Sequence, residues 1–204
     1  MLVGDDTYLL VLLCHHAERN ANELFFKPEP KQRSKTRKTW KIKRTKTSLG
    51  ANVCANILLV HAILGCDTTS RIHDIGKGVT LTKIRTDALF HEQANVFNHP
   101  GASKDEVLMA GEKSLLCLYN CRSDESLDSL RYTKFCQKVA TGTTLVQPES
   151  LQRTSAATGY RSLRVYFQIQ QWKGVPLEPE VDGWRTASNY NGPDTSTWIP
   201  PRND

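Results

Sequence analysis

The sequence predicts an α/β fold, with sheet at the start of the chain and helices over most of the rest. Three observations carry this. Short apolar pieces alternate with one helix over the first 45 or so residues. From Ser48 the apolar residues recur every three to four positions. From Pro176 the chain turns polar and holds five of its nine prolines.

Met1–Val3 is an apolar stub that reads as a strand, followed by Asp5-Asp6-Thr7, where Asp6 or Thr7 suits the N-cap of a helix over 8–17. Leu24-Phe25-Phe26 is a second strand, punctuated by Pro28 and Pro30. Thr39-Trp40-Lys41-Ile42-Lys43 alternates polar and apolar, which predicts a half-buried third strand with its lysines outward. Val53, Ile57, Val60 and Leu64 then mark a buried helix, with Ser48 as its cap and Gly65 as its stop. Cys66–Ser70 reads as a turn and Ile75-Gly76-Lys77-Gly78 as a tighter one. Helices are expected over 79–94, 104–119, 126–139 and 154–172. The tail from Pro176 is expected to be irregular, docked through Trp184 and Trp198. The domain reading is an α/β unit over 1–95 with a basic insert at 27–46, a helical extension over 96–175, and the tail over 176–204.

Of the 204 residues, 39% are hydrophobic and 24% charged, which suits a packed core and excludes a globally disordered chain. The apolar run Tyr8–Cys14 is far short of the ~20 residues a bilayer crossing needs, so no membrane partner is expected. Gly4-Asp5-Asp6 argues against a secretory signal. The six cysteines form no C-x-x-C pair, and four (Cys14, Cys54, Cys66, Cys117) lie in apolar stretches; they read as buried thiols in a reducing, intracellular compartment. No catalytic triad, P-loop or dinucleotide fingerprint is present.

Net charge is +6 and uneven. Lys27 to Lys46 holds ten basic residues against Glu29, a local charge of +9 that leaves −3 for the remainder. Lys35, Arg37, Lys38, Lys41, Lys43 and Arg44 form its densest part. Such a run attracts phosphate backbones whatever their base sequence. It also reads as a nuclear-import signal or as a solvated face.

The chemistry concentrates in His61-Ala-Ile-Leu-Gly-Cys-Asp67-Thr-Thr-Ser70 and Gly76-Lys77-Gly78. Asp67 follows the C-terminal end of a buried helix, where the dipole disfavours an ionised carboxylate unless a cation offsets it; a hard divalent ion would. Asp67 reads equally as a turn carboxylate bonded to nearby N–H groups, and Asp6 as a plain cap. Gly76-Lys77-Gly78 opens a helix, so its amides and lysine suit an anion, although a simple inter-helix turn has the same composition.

Leu64-Gly-Cys-Asp67 followed by Ile75-Gly76-Lys77, with Gly4-Asp5-Asp6-Thr7 upstream, resembles the flap-endonuclease group of PIN-like nucleases over about residues 1–95. A narrower resemblance covers nearly the whole chain. His61 to Ser70, Asp6-Thr7-Tyr8, Arg131-Tyr132-Thr133-Lys134-Phe135, and Thr154-Ser155-Ala156-Ala157 with Arg164-Val165-Tyr166-Phe167-Gln168 and Trp172 are similar to an animal family associated with transposable elements. The resemblance implies a partial PIN-like sheet, a helix-hairpin-helix gripping duplex phosphates, and metal ligation by Asp6 and Asp67, with Asp5 in reserve. The implied cofactor is Mg²⁺ or Mn²⁺, the partner DNA or RNA, and the location nuclear. Tyr8 stands where the second aspartate of the acidic pair is expected, and a phenol is protonated at neutral pH. The family's first acidic strands would precede Met1. The expectation is therefore a truncated, catalytically incomplete phosphodiesterase that binds nucleic acid. The alternative is a non-catalytic binding or assembly module.

Overall fold

The computed structural model describes residues 2–4, 7–18, 22–29, 39–66, 68–72, 75–121, 125–142 and 145–177. Leu2–Gly4 (β1), Phe25–Pro28 (β2) and Trp40–Lys41 (β3) form one sheet in that order. β1 and β2 are parallel, with Leu2 opposite Phe26, and α1 (Thr7–His16) lies between them in sequence. Parallel neighbours need a crossover, and α1 supplies it. β3 runs antiparallel to β2, with Phe26 opposite Trp40.

The strand expected over 39–43 is cut to two residues, because Ile42 begins α2 (Ile42–Leu49). Trp40 and Ile42 fit a strand alternation, but Ile42, Thr45, Lys46 and Leu49 also fit a helical face, and that face is the more buried one. Gly50 then breaks the chain at φ +87°, and α3 (Ala51–Leu64) leaves at 96° to α2. Ser48 is therefore inside α2 rather than the cap of the buried helix. α3 is apolar almost all round, with Val53, Leu58, Leu59, Ala62 and Ile63 buried, as suits the central element of a core. No single helix among the described residues is long and apolar enough to cross a membrane.

The single helix expected over 79–94 is two, α4 (Lys77–Thr86) and α5 (Ala88–Asn98). Asp87 divides them. Its carboxylate accepts the Phe90 N–H at 3.2 Å and lies 3.1 Å from Lys83 Nζ, so it caps α5. The remaining helices begin and end within two residues of expectation: α6 (Lys104–Leu118), α7 (Leu127–Ala140) and α8 (Ser155–Trp172). Ser103, Ser126 and Thr154 cap them, Ser103 in a reciprocal box with Glu106.

α8 packs against α3, α5 and α6. Its crossing with α6 is close: a Cβ on Gly111 would lie 1.7 Å from Ser162 Oγ. One hydrophobic cluster runs from Val11 and Cys14 through α3 to Val165 and Ile169. The division expected at 95/96 falls within α5, and the cluster draws on both sides of it. All six cysteines are free thiols; Cys14 and Cys54 are buried, Cys66, Cys117 and Cys121 half-buried, and Cys136 exposed. Trp184 and Trp198 lie outside the described residues.

Candidate nucleic-acid groove

The last carbonyls of a helix have no partner within it and must find one elsewhere. At the end of α3 they find three. Thr69 Oγ1 donates to the Ala62 carbonyl at 2.6 Å, Arg161 Nη2 donates to the Ile63 carbonyl at 2.6 Å, and the Ile72 N–H reaches the Leu64 carbonyl at 3.4 Å. The chain reverses at Gly65, whose φ of +118° and whose missing Cβ, which would lie 2.9 Å from Arg71 Cα, both require glycine. Cys66 and Thr69 exchange backbone hydrogen bonds of 3.0 and 3.1 Å, closing the expected turn. α8 holds this turn from below. Thr68 Oγ1 donates to Gln168 Oε1 at 2.8 Å, Arg161 to the Ser70 carbonyl, and Arg153 Nη2 to Ser70 Oγ at 2.6 Å.

Above the turn lies a groove of about 870 Å³, lined by α1, the end of α3, the turn, the start of α4 and the last turns of α8. Tyr8, His61 and Trp172 form its aromatic wall, with centroid separations of 5.2 Å (Tyr8–Trp172), 5.6 Å (His61–Trp172) and 6.1 Å (Tyr8–His61). The Tyr8 ring is packed against both His61 and Trp172. Arg71, Gly76 and Lys77 also line the groove. Gly76 is the N-cap of α4 and supplies no side-chain acceptor, so the first amides of α4 have no capping side chain. A Cβ on Gly76 or Gly78 would meet nothing within 4 Å, so packing does not require either glycine.

The candidate residues do not form one site. Gly76 and Lys77 line the groove, and Gly78 sits one residue into α4. Lys41 lies on β3, 3.6 Å from Glu23 and over the Phe25 ring, and Lys43 and Arg44 are exposed in the first turn of α2. Lys43 borders a separate hollow of about 680 Å³ with His15 and Cys54, at the opposite end of α3. The length of α3 puts these ends about 20 Å apart. Asp5, Asp6, Asp67, Lys35, Arg37 and Lys38 lie outside the described residues.

Among the described residues, no group of three His, Cys, Asp or Glu side chains is placed to hold a metal. The described lining of the groove offers phenol, imidazole, thiol, hydroxyl and amide groups but no carboxylate. Mg²⁺ and Mn²⁺ take hard, anionic oxygen, and the carboxylates expected to supply it, Asp5, Asp6 and Asp67, are outside the described residues. Arg161 brings a cation to the C-terminal end of α3, where the helix dipole favours one. Burial lowers its guanidinium pKa to about 10, with Arg153 adding to the effect, yet it stays charged at neutral pH.

Arg164, Gln168 and Trp172 entered the sequence reading only through a resemblance that assigned them no chemistry, and Arg153 and Arg161 did not enter it at all. Their signal was the spacing Arg161, Arg164, Gln168 and Trp172, which places all four along one face of α8. Comparison with protein-family models, with curated proteins and with solved structures finds no match to this chain.

Proposed function

We propose that the chain binds nucleic acid through backbone phosphates, as a PIN-like, flap-endonuclease-like protein of transposon origin whose α3, connecting turn and α4 act as a helix-hairpin-helix. The observation that carries this reading is the start of α4. Its amides lack a side-chain cap and open beside Lys77 and Arg71 onto the groove that the turn after α3 borders. A helix N-terminus with adjacent cations favours phosphate. Tyr8 and Trp172 in the lining of the same groove add ring surface on which an unstacked base can lie, which favours single-stranded or flapped substrates over continuous duplex. The basic run over 27–46 serves as a second phosphate contact or as a nuclear-import signal.

Hydrolysis with Mg²⁺ or Mn²⁺ would rest on Asp67, Asp6 and Asp5. The non-catalytic reading is favoured by Tyr8, which is stacked in the aromatic wall where that site needs an acid. Fluorescence anisotropy against salt, on flapped, nicked and single-stranded DNA and on RNA, tests binding. Lys77→Ala is expected to weaken binding uniformly and to reduce the salt slope by about 1. An unchanged slope removes the start of α4 from the interface. Cleavage in Mn²⁺ that EDTA stops and Asp67→Asn abolishes would establish the enzyme reading. Binding without cleavage leaves the non-catalytic one.

A further inference from the structure

A surface helix carries its apolar side chains on the side that meets the protein. α7 does this only at its start, where Leu127 and Leu130 are buried. Further along, the same side is polar. Lys134 and Lys138 follow Leu127 and Leu130 at helical spacing and line a hollow of about 420 Å³ against Tyr119 and Ser150. The apolar residues of the later turns lie on the outer side instead. Tyr132, Phe135, Cys136 and Val139 recur at three and four positions, a stripe about 10 Å long. Tyr132 is 69% exposed, Phe135 43% and Val139 50%, and Cys136 is exposed as well. Two aromatics, a thiol and a valine in one row form a patch rather than the singly scattered apolar residues of an ordinary surface.

The rim of the stripe points to what covers it. The charged groups of α7 beside it are drawn toward the body of the protein. Asp128 accepts the Ser155 N–H at 3.1 Å, Arg131 donates to the Gln152 carbonyl, and Lys138 Nζ donates to Ser150 Oγ at 2.8 Å. The other flank is Ser129, Thr133 and Ala140, exposed and uncharged. A charged partner would gain no ion pair along that flank, whereas a second apolar stripe with small uncharged neighbours fits it. The stripe is also its own complement. In an antiparallel pair Tyr132 meets the second copy's Val139 and Phe135 meets its Cys136, so each aromatic packs on a smaller side chain. Counting about 150–250 Å² for a wholly buried Tyr or Phe, two facing stripes remove on the order of 700 Å² from water. That is below the ~1,200 Å² of a standard interface, which makes the association weak and reversible.

We propose that the outer face of α7 is a self-association surface, on which a second copy of this chain lays its own α7 antiparallel. None of the stripe residues lines the groove, so the surface does not depend on the nucleic-acid reading.

Sedimentation velocity of the full chain, stripped of nucleic acid and kept reduced, tests it across micromolar to millimolar concentrations. A reversible monomer–dimer shift is expected. Tyr132→Ser and Phe135→Ser should each weaken it by about tenfold or more, the scale of losing an aromatic anchor. Both side chains are exposed, so the two variants should keep the parent's Tm. Leu89→Ser, which removes a comparably exposed apolar side chain from α5, should associate like the parent. Raising the salt concentration should not loosen the dimer, since its contacts are apolar. A monomer at every concentration overturns the surface. So does a dimer that both stripe variants leave unchanged, that Leu89→Ser weakens as much, or that salt dissolves.

Discussion

Arg161 closes the C-terminal end of the most apolar helix in the molecule, and it does so from a helix about a hundred residues further along the chain. Arg161→Met would leave the buried Ile63 carbonyl and the part-buried Ser70 carbonyl without this donor. A loss of about 2–3 kcal/mol is expected, the scale of hydrogen bonds to a charged group, and chemical denaturation measures it. A loss below about 0.5 kcal/mol would show that the turn caps α3 without it. His15 is a second informative residue. Its Nδ1–H donates to the Cys54 carbonyl at 3.2 Å, and burial lowers its pKa below the ordinary 6.5. The folded state therefore favours the neutral ring. The corresponding stability is complete above pH 6.5 and is lost as pH falls through the lower folded value. Stability is expected to decline as pH falls below 6.5, and His15→Gln to flatten that decline; parallel curves for the two proteins would refute the assignment. At this scale the sequence exposed part of the site. Gly76 and Lys77 were legible because a glycine-rich helix start has a local signature. Arg161 was not, because its partners are backbone carbonyls brought to it by tertiary packing.

Among the elements, the α6–α8 crossing is the most exacting. Gly111→Ala would drive a methyl group into Ser162, and an overpacking cost of about 1–3 kcal/mol is expected. Gly111→Ala combined with Ser162→Gly should recover most of it; if the double variant is no more stable than Gly111→Ala alone, the contact is not the cause. The long helices α6, α7 and α8 could be read from sequence because a serine or threonine cap precedes each apolar period. The α2–α3 break was hidden because Ile42–Leu49 has apolar residues only at its two ends, so no helical period announces α2 before Gly50. The α4–α5 break was hidden because Asp87 resembles an ordinary surface acid. Its pKa shows its role: burial alone would raise it, but Lys83 and the Phe90 N–H together hold it below the usual carboxylate value.

For the molecule as a whole, one cluster unites α1, α3, α5, α6 and α8 across the expected boundary at 95/96. A fragment ending at 95 would interrupt α5 and leave α3 without its α8 cover. It is expected to show no cooperative thermal transition by circular dichroism, whereas residues 1–177 should unfold in a single step. A sharp transition in the short fragment would restore a separate N-terminal domain. The α/β-then-helical order was legible because it depends on local periodicity. The single core was not, because nothing local in α8 announces that it belongs beside α3.

The late position of α8 in the chain has a consequence during synthesis. The apolar surface of α3 leaves the ribosome about a hundred residues before the helix that covers it, which at ordinary elongation rates is roughly 5–20 s. Throughout that interval the nascent chain exposes its stickiest segment. Its yield in a cell is therefore expected to depend on chaperones that hold unfinished chains, and a stop codon or frameshift anywhere before Trp172 would send the product to proteolysis.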